Sequence, residues 1–272
     1  KESAIQLAKS GARVILAARN KDKLQKIKLE LDSINQQNND FIYADFDNNK
    51  LLYNKVKEYV SDKKTIHILI NNSGGPSPGA ILESNSKQFI DAFNRHLINN
   101  HNLSKLLIPG MKSDSFGRII NIISISVKQP IPNLGVSNTI RGAVASWAKT
   151  LSYEVASYGI TVNNILPGFT NTERLKSLIK DIAEKHNRSV NEVAKEMESS
   201  VPSNRFAEPS ETAAAVTFLA SDQASYINGI NLPVDGGRTQ SLWKILDNKY
   251  GKEKPFWEPI DLISFINLFK GW

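Results

Sequence analysis

Short apolar runs recur along the chain, and between them lie segments whose apolar positions repeat with a helical period. Arg13-Val-Ile-Leu-Ala-Ala18, Phe41-Ile-Tyr-Ala44, Ile66-His-Ile-Leu-Ile70, Arg118-Ile-Ile-Asn-Ile-Ile123 and Ile160-Thr-Val-Asn-Asn-Ile-Leu166 read as strands. Such runs are too continuous for strands wetted on one face and suit strands buried on both. The segments between them predict helices over Glu2–Lys9 (closed by Gly11), Asp22–Leu31, Lys50–Val60, Lys87–Met111 with a break near Pro109, and Thr139–Tyr158. Strand and helix alternating in this way predict an α/β fold, a single-domain, Rossmann-type doubly wound parallel sheet with helices on both faces. Thr172–Ser199 departs from the alternation as two polar helices, the second opened by the capping box Ser189-x-x-Glu192. The stretch after Gly237 is basic and aromatic, and Ile260–Phe269 within it is apolar enough for a helix but too short to span a bilayer.

Composition removes several chemistries. The 272 residues include no cysteine, which excludes disulfides, thiolate–zinc sites, iron–sulfur clusters and a thiol nucleophile, and fits a cytoplasmic location. Only His67, His96, His101 and His186 remain as imidazole ligands, none four residues from another, so no metal site is expected. No membrane span is expected, because no apolar run approaches the required length. The formal charge of +7 is spread along the chain, and no nucleic-acid partner is expected; a basic site for an anionic cofactor accounts for it equally well.

In parallel α/β sheets, ligands bind beyond the carboxyl ends of the strands. The first strand of this sequence ends in Arg19, with Lys21 and Lys23 behind it; if it is the second strand of a dinucleotide fold, a cation there favours a ribose 2′-phosphate, hence NADP(H), where an acid would favour NAD(H). The third ends in Asn71-Asn-Ser-Gly-Gly75, a turn open to close backbone approach. Gly75-Pro-Ser77-Pro-Gly79 matches the spacing of a hydrolase nucleophile elbow, but two prolines flank Ser77 and no helix follows directly, so it is set aside.

Beyond the fourth strand come Ser124, then Ser137, with Arg141 one helical turn on. With these residues the chain resembles the short-chain dehydrogenase/reductase superfamily, nearest its 3-oxoacyl-(acyl-carrier-protein) reductase-like branch. The resemblance covers about Lys1–Gly237. It rests on Gly11-Ala-Arg13, Asp45, Asn71-Asn-Ser-Gly74, Asn121-Ile-Ile-Ser124, Val162-Asn-Asn-Ile-Leu-Pro-Gly168, Arg205-Phe-Ala-Glu-Pro209 and Val234-Asp-Gly-Gly237. It implies an oxidoreductase acting on a carbonyl or alcohol substrate with NADP(H), and a homotetramer or homodimer with His96 and Ser137 on helices near the subunit interfaces. It also implies a first strand and Gly-rich phosphate loop in about twenty residues ahead of Lys1.

The resemblance departs from the family at its centre. An Asn–Ser–Tyr–Lys tetrad is expected, and the matching positions hold His96, Ser124, Ser137 and Arg141. A serine hydroxyl is a far weaker acid than a phenol, and an arginine does not cycle a proton. The expected chemistry is therefore non-standard: His96 supplies the proton through water, Ser124 and Ser137 polarise the carbonyl, and Arg141 supports the oxyanion. The competing reading is a catalytically inactive nucleotide-binding or scaffold protein on the same fold. The family's other contacts carry over to Asp45 and Phe46 beside the adenine, Asn72 and Gly74 at the adenosine ribose, and Arg141 at the nicotinamide ribose. Pro167, Gly168, Thr170 and Thr172 fall where the family's loop meets the nicotinamide and phosphates. Residues 171–205 are expected as a substrate lid. Residues 238–272 form an extension, in which Phe256 and Trp257 are expected to shape an apolar pocket.

Overall fold

Strands buried on both faces need helices on both faces, and this arrangement is present in a computed structural model that describes residues 1–61 and 65–240. In chain order the elements are α1 (Glu2–Lys9), β1 (Ile15–Ala18), α2 (Lys21–Ile34), β2 (Asp40–Tyr43), α3 (Asn49–Ser61), β3 (Ile68–Asn71), α4 (Ser86–Phe93), α5 (Asn99–Ser113) and β4 (Gly117–Ile122). They continue with α6 (Gly135–Val155), β5 (Ile160–Pro167), α7 (Glu173–Lys185), α8 (Val190–Ser199), α9 (Pro209–Ala220) and β6 (Asn231–Val234). All strand pairs are parallel, β1 with β2, and β3-β4-β5-β6 in that order.

Successive residues of β4 show why its apolar run is unbroken. Ile119 points into a core made with Leu52 and Val56 of α3 and Leu107 and Met111 of α5. Ile120 points the other way, against Leu7 of α1 and Val216 and Leu219 of α9. Both isoleucines are fully buried, each worth about 1.5–3 kcal/mol of hydrophobic stabilisation. The facing edges of β1 and β3 do not pair with one another; between them lies a cavity of about 570 Å³ walled by side chains such as Ile15, Ile42, Leu52 and Leu69.

Two expectations about the long helical stretch are corrected. Pro109 does not break it: α5 runs through Pro109 to Ser113. The lost hydrogen bond and ring clash are outweighed by Leu107 and Met111, both buried in the core on either side of the proline. The irregularity falls instead at Asn94–Ile98, a wide π-type turn between α4 and α5 that carries His96. The capping box at Ser189 and Glu192 is present as expected. Helix α9 and strand β6 were not anticipated as elements. The expectations for Phe256, Trp257 and nearly all of the extension lie outside the described residues.

Candidate active site

The carboxyl ends of β3, β4 and β5 bring together the loop 72–79, the turn after Ile122 and the first turns of α6. Arg141 ties two of these together, its Nη1 donating to the carbonyl of Ile122 at 3.1 Å. That bond holds α6 against the end of β4, with Ser137 one turn earlier on the same helix. The Ser124 hydroxyl accepts from the amide of Ser126 at 3.1 Å, capping the short turn that follows β4. The Ser137 hydroxyl has no hydrogen bond among the described residues and is half-buried.

His96 enters this end of the sheet from the wide turn. It is 2% exposed, and its Nδ1 lies 2.8 Å from the Ser73 hydroxyl. Burial, and then the charges of Arg141, Arg95 and Arg174, push its pKa down to about 3. The imidazole is therefore neutral at pH 7, and its Nε2 is buried without a hydrogen-bond partner. Arg141 is 8% exposed, with Nε buried and without a hydrogen bond. Burial and the nearby Arg174 lower its pKa to about 10, which leaves it charged at pH 7.

The other expected contact residues line the same end. Arg19 stands at the end of β1 with a largely exposed side chain, 3.9 Å from Asp47, which also holds Arg95. Asp45 accepts from the amide of Asp47 at 3.0 Å, and Phe46 is anchored by Asn99 Nδ2 on its carbonyl at 2.7 Å. Asn72 and Gly74 are exposed in the turn after β3. Gly168 follows Pro167 at the end of β5, where its amide donates to Val234 at 2.9 Å. A Cβ on Gly168 would lie 2.8 Å from the Asp235 Cα, so the close crossing of these two backbones requires glycine. Thr170 donates to the Gly168 carbonyl at 3.4 Å, and Thr172 caps α7 by accepting from Leu175.

The site also holds residues that the sequence reading did not single out. Ser73 was visible only as part of a turn. Arg174 carried one signal: a cation in the first turn of a helix opposes the helix dipole, so another interaction must hold it there. Asn71, Asn121, Asn164 and Asn231 lie side by side across four strands, each amide donating to the next at 2.8 Å. Polar residues inside apolar strand runs were the signal for this ladder. Ser77 lies in the exposed loop between β3 and a single turn of 3₁₀ helix at Ile81–Glu83, not on a strand-to-helix elbow.

A parallel sheet with helices on both faces and polar groups at the strands' carboxyl ends defines a dinucleotide-type fold. The chain belongs to the short-chain dehydrogenase/reductase superfamily: the family model described as enoyl-(acyl carrier protein) reductase matches residues 1–239. It is 28% identical over 243 residues to the NADPH-dependent reductase BacG of Bacillus subtilis, covering 89% of this chain and 94% of that protein. It is 31% identical over 242 residues to the 3-oxoacyl-[acyl-carrier-protein] reductase FabG of Buchnera aphidicola, covering 87% and 91%. Among solved structures, the L-sorbose reductase of Gluconobacter frateurii, complexed with NADPH and L-sorbose, superposes with a TM-score of 0.83 at 28% identity, covering 88% of this chain and 92% of that one.

Proposed function

We propose that this protein is an NADP(H)-dependent oxidoreductase of a carbonyl/alcohol pair, working with a non-standard proton-donor set. The observation that carries the reading is Arg141: a buried, charged guanidinium, tied to the end of β4, the strand that Ser124 follows, with Ser137 one turn earlier on the same helix. The residues present suit the cofactor. Arg19 is exposed to receive a 2′-phosphate, the Asn72–Gly74 turn is open, and nothing lies within 4 Å of where a Cβ of Gly74 would be. Asp45 and Phe46 would hold the adenine, Arg141 the nicotinamide ribose, and Pro167, Gly168, Thr170 and Thr172 the nicotinamide and phosphates. When bound, the reduced nicotinamide supplies hydride to the carbonyl carbon.

The chain's own residues supply the rest. The hydroxyls of Ser124 and Ser137 donate hydrogen bonds to the substrate oxygen. Arg141 stabilises the negative charge that develops there, an interaction stronger in the transition state than in the ground state. The proton comes from solvent through these hydroxyls and water, and His96, neutral, takes a proton on one ring nitrogen as it releases one from the other.

Residues 171–205 act as a lid that excludes water over the substrate. The same reading assigns a cytoplasmic homotetramer or homodimer; the exposed apolar side chains of Ile90 and Phe93, on the helix leading into the His96 turn, support an interface there. No helix among the described residues is long and apolar enough to cross a membrane.

Calorimetric titration with NADPH and with NADH, followed by NADPH oxidation across a panel of ketones and 3-oxoacyl thioesters, tests the proposal. NADPH binding at least tenfold tighter than NADH, with turnover that falls by about 10²-fold or more in Arg141→Leu, is the expected result. Binding of neither cofactor overturns it.

A further inference from the structure

Two guanidinium groups stand over the site with no acid to balance them. Arg141 makes a single hydrogen bond, to a carbonyl, and its buried Nε makes none. Arg174, in the first turn of α7, reaches back to the loop after β3, where its Nη2 donates to the Pro76 carbonyl at 3.2 Å. Its guanidinium lies directly on Gly75, where a Cβ would come within 2.6 Å of Nη1. Arg174 thus sits on Gly75 and Pro76 of the same loop whose Ser73 meets His96 at 2.8 Å, and its charge acts on both His96 and Arg141.

Two acids at this end of the sheet have cationic partners of their own. Asp47 pairs with Arg95 and Arg19, and Glu173 pairs with Lys176 at 2.9 Å. Among the described residues, neither Arg141 nor Arg174 has a carboxylate partner. The positive end of the α7 dipole adds to the same potential. Two like charges around a desolvated imidazole repel, and an anion placed between them removes that cost.

We infer that the substrate carries an anionic group, a carboxylate or a phosphate, which Arg174 receives from the lid side while its carbonyl oxygen lies at Ser124, Ser137 and Arg141. The planar fork of arginine matches either oxyanion in a bidentate pair. The reaction assigned to this substrate rests on the function proposed above; the anion seat rests on the two arginines alone.

The test compares each of several keto acids with its methyl ester, together with a ketone bearing a phosphate ester, in wild type, Arg174→Met and Arg174→Lys. Arg174 is exposed, and circular dichroism checks that the variants fold. Wild type should favour the acid, or the phosphate, over the neutral partner at least tenfold in kcat/KM. Arg174→Met should collapse that ratio tenfold or more, chiefly through KM, and Arg174→Lys should restore part of it.

Equal losses on acid and ester would make Arg174 a plain latch between α7 and the β3 loop and overturn the inference. So would a wild type indifferent to substrate charge, or a weakened affinity for NADPH in Arg174→Met, which would assign the guanidinium to the cofactor's phosphates. Calorimetry with the corresponding hydroxy acids separates the two readings. Hydroxy-acid binding that disappears in Arg174→Met, in a protein that neither binds nor oxidises NADPH, keeps the anion seat and sinks only the oxidoreductase.

Discussion

The Nδ1 atom of His96 and the hydroxyl of Ser73 lie 2.8 Å apart, joining the wide turn between α4 and α5 to the loop after β3. Burial and three surrounding arginines keep that imidazole neutral, with a pKa near 3 against 6.5 for the free group. The stability this neutral form contributes is complete above pH 6.5 and is lost as the pH falls toward 3, because the unfolded chain takes up the proton first. Urea midpoints measured across that range should fall more steeply with acid in wild type than in His96→Asn, by up to the equivalent of one proton. Parallel curves would show that His96 titrates normally. Turnover should show no step from His96 between about pH 5 and 8.

Arg19 lies at the carboxyl end of β1 with its guanidinium 3.9 Å from Asp47, a loose and exposed pairing that leaves it open to a phosphate. Arg19→Glu should weaken NADPH binding tenfold or more, about 1.4 kcal/mol, and leave NADH affinity within a factor of two or so. Calorimetry reads both values. Equal weakening of the two cofactors would remove Arg19 from 2′-phosphate recognition.

Asn121 sits at the middle of the amide ladder, accepting from Asn71 and donating to Asn164, each at 2.8 Å, and is fully buried. Asn121→Leu removes these two bonds and a third accepted from Asn100 at 3.4 Å, and leaves buried amide groups of its neighbours unsatisfied, at a cost of about 2–4 kcal/mol. Denaturant unfolding measures this. A loss below about 1 kcal/mol would show that the ladder's neighbours find other partners.

Gly168 crosses Asp235 so closely that an added Cβ meets its Cα at 2.8 Å. Backbone cannot yield as a side-chain tip does, so Gly168→Ala should destabilise by about 1–3 kcal/mol. By moving the Pro167–Thr172 loop it should also lower turnover more than the same loss of stability elsewhere. An unchanged melting temperature together with full activity would contradict the close crossing.

The sequence was most legible where one local pattern serves one demand. Ile119 and Ile120 are both apolar because β4 is covered on both faces, so the run alone announces a buried parallel strand. The Ser189–Glu192 box announces a helix start because both partners lie within one turn. Pro109 misled because the local cost of a proline was weighed without the core contacts of Leu107 and Met111. Helix α9 was missed because Ala-rich Pro209–Ala220 carries little amphipathic contrast, being buried against both α1 and the sheet.

The sequence by itself determined the α/β alternation, the parallel sheet and the basic residue after β1, while Ser137 and Arg141 at the tetrad's tyrosine and lysine positions are what the family resemblance implies. The first three follow from residue identity and near-neighbour spacing, which the chain carries without folding. Only the tertiary structure decided that His96 is neutral, that Ser73 is its partner, and that Arg174 lies on the loop after β3 with neither it nor Arg141 paired to an acid among the described residues. A pKa and an ion pair depend on desolvation and on charges a few ångströms away, and here those charges come from residues 95, 141 and 174, which only the closed fold brings around one imidazole.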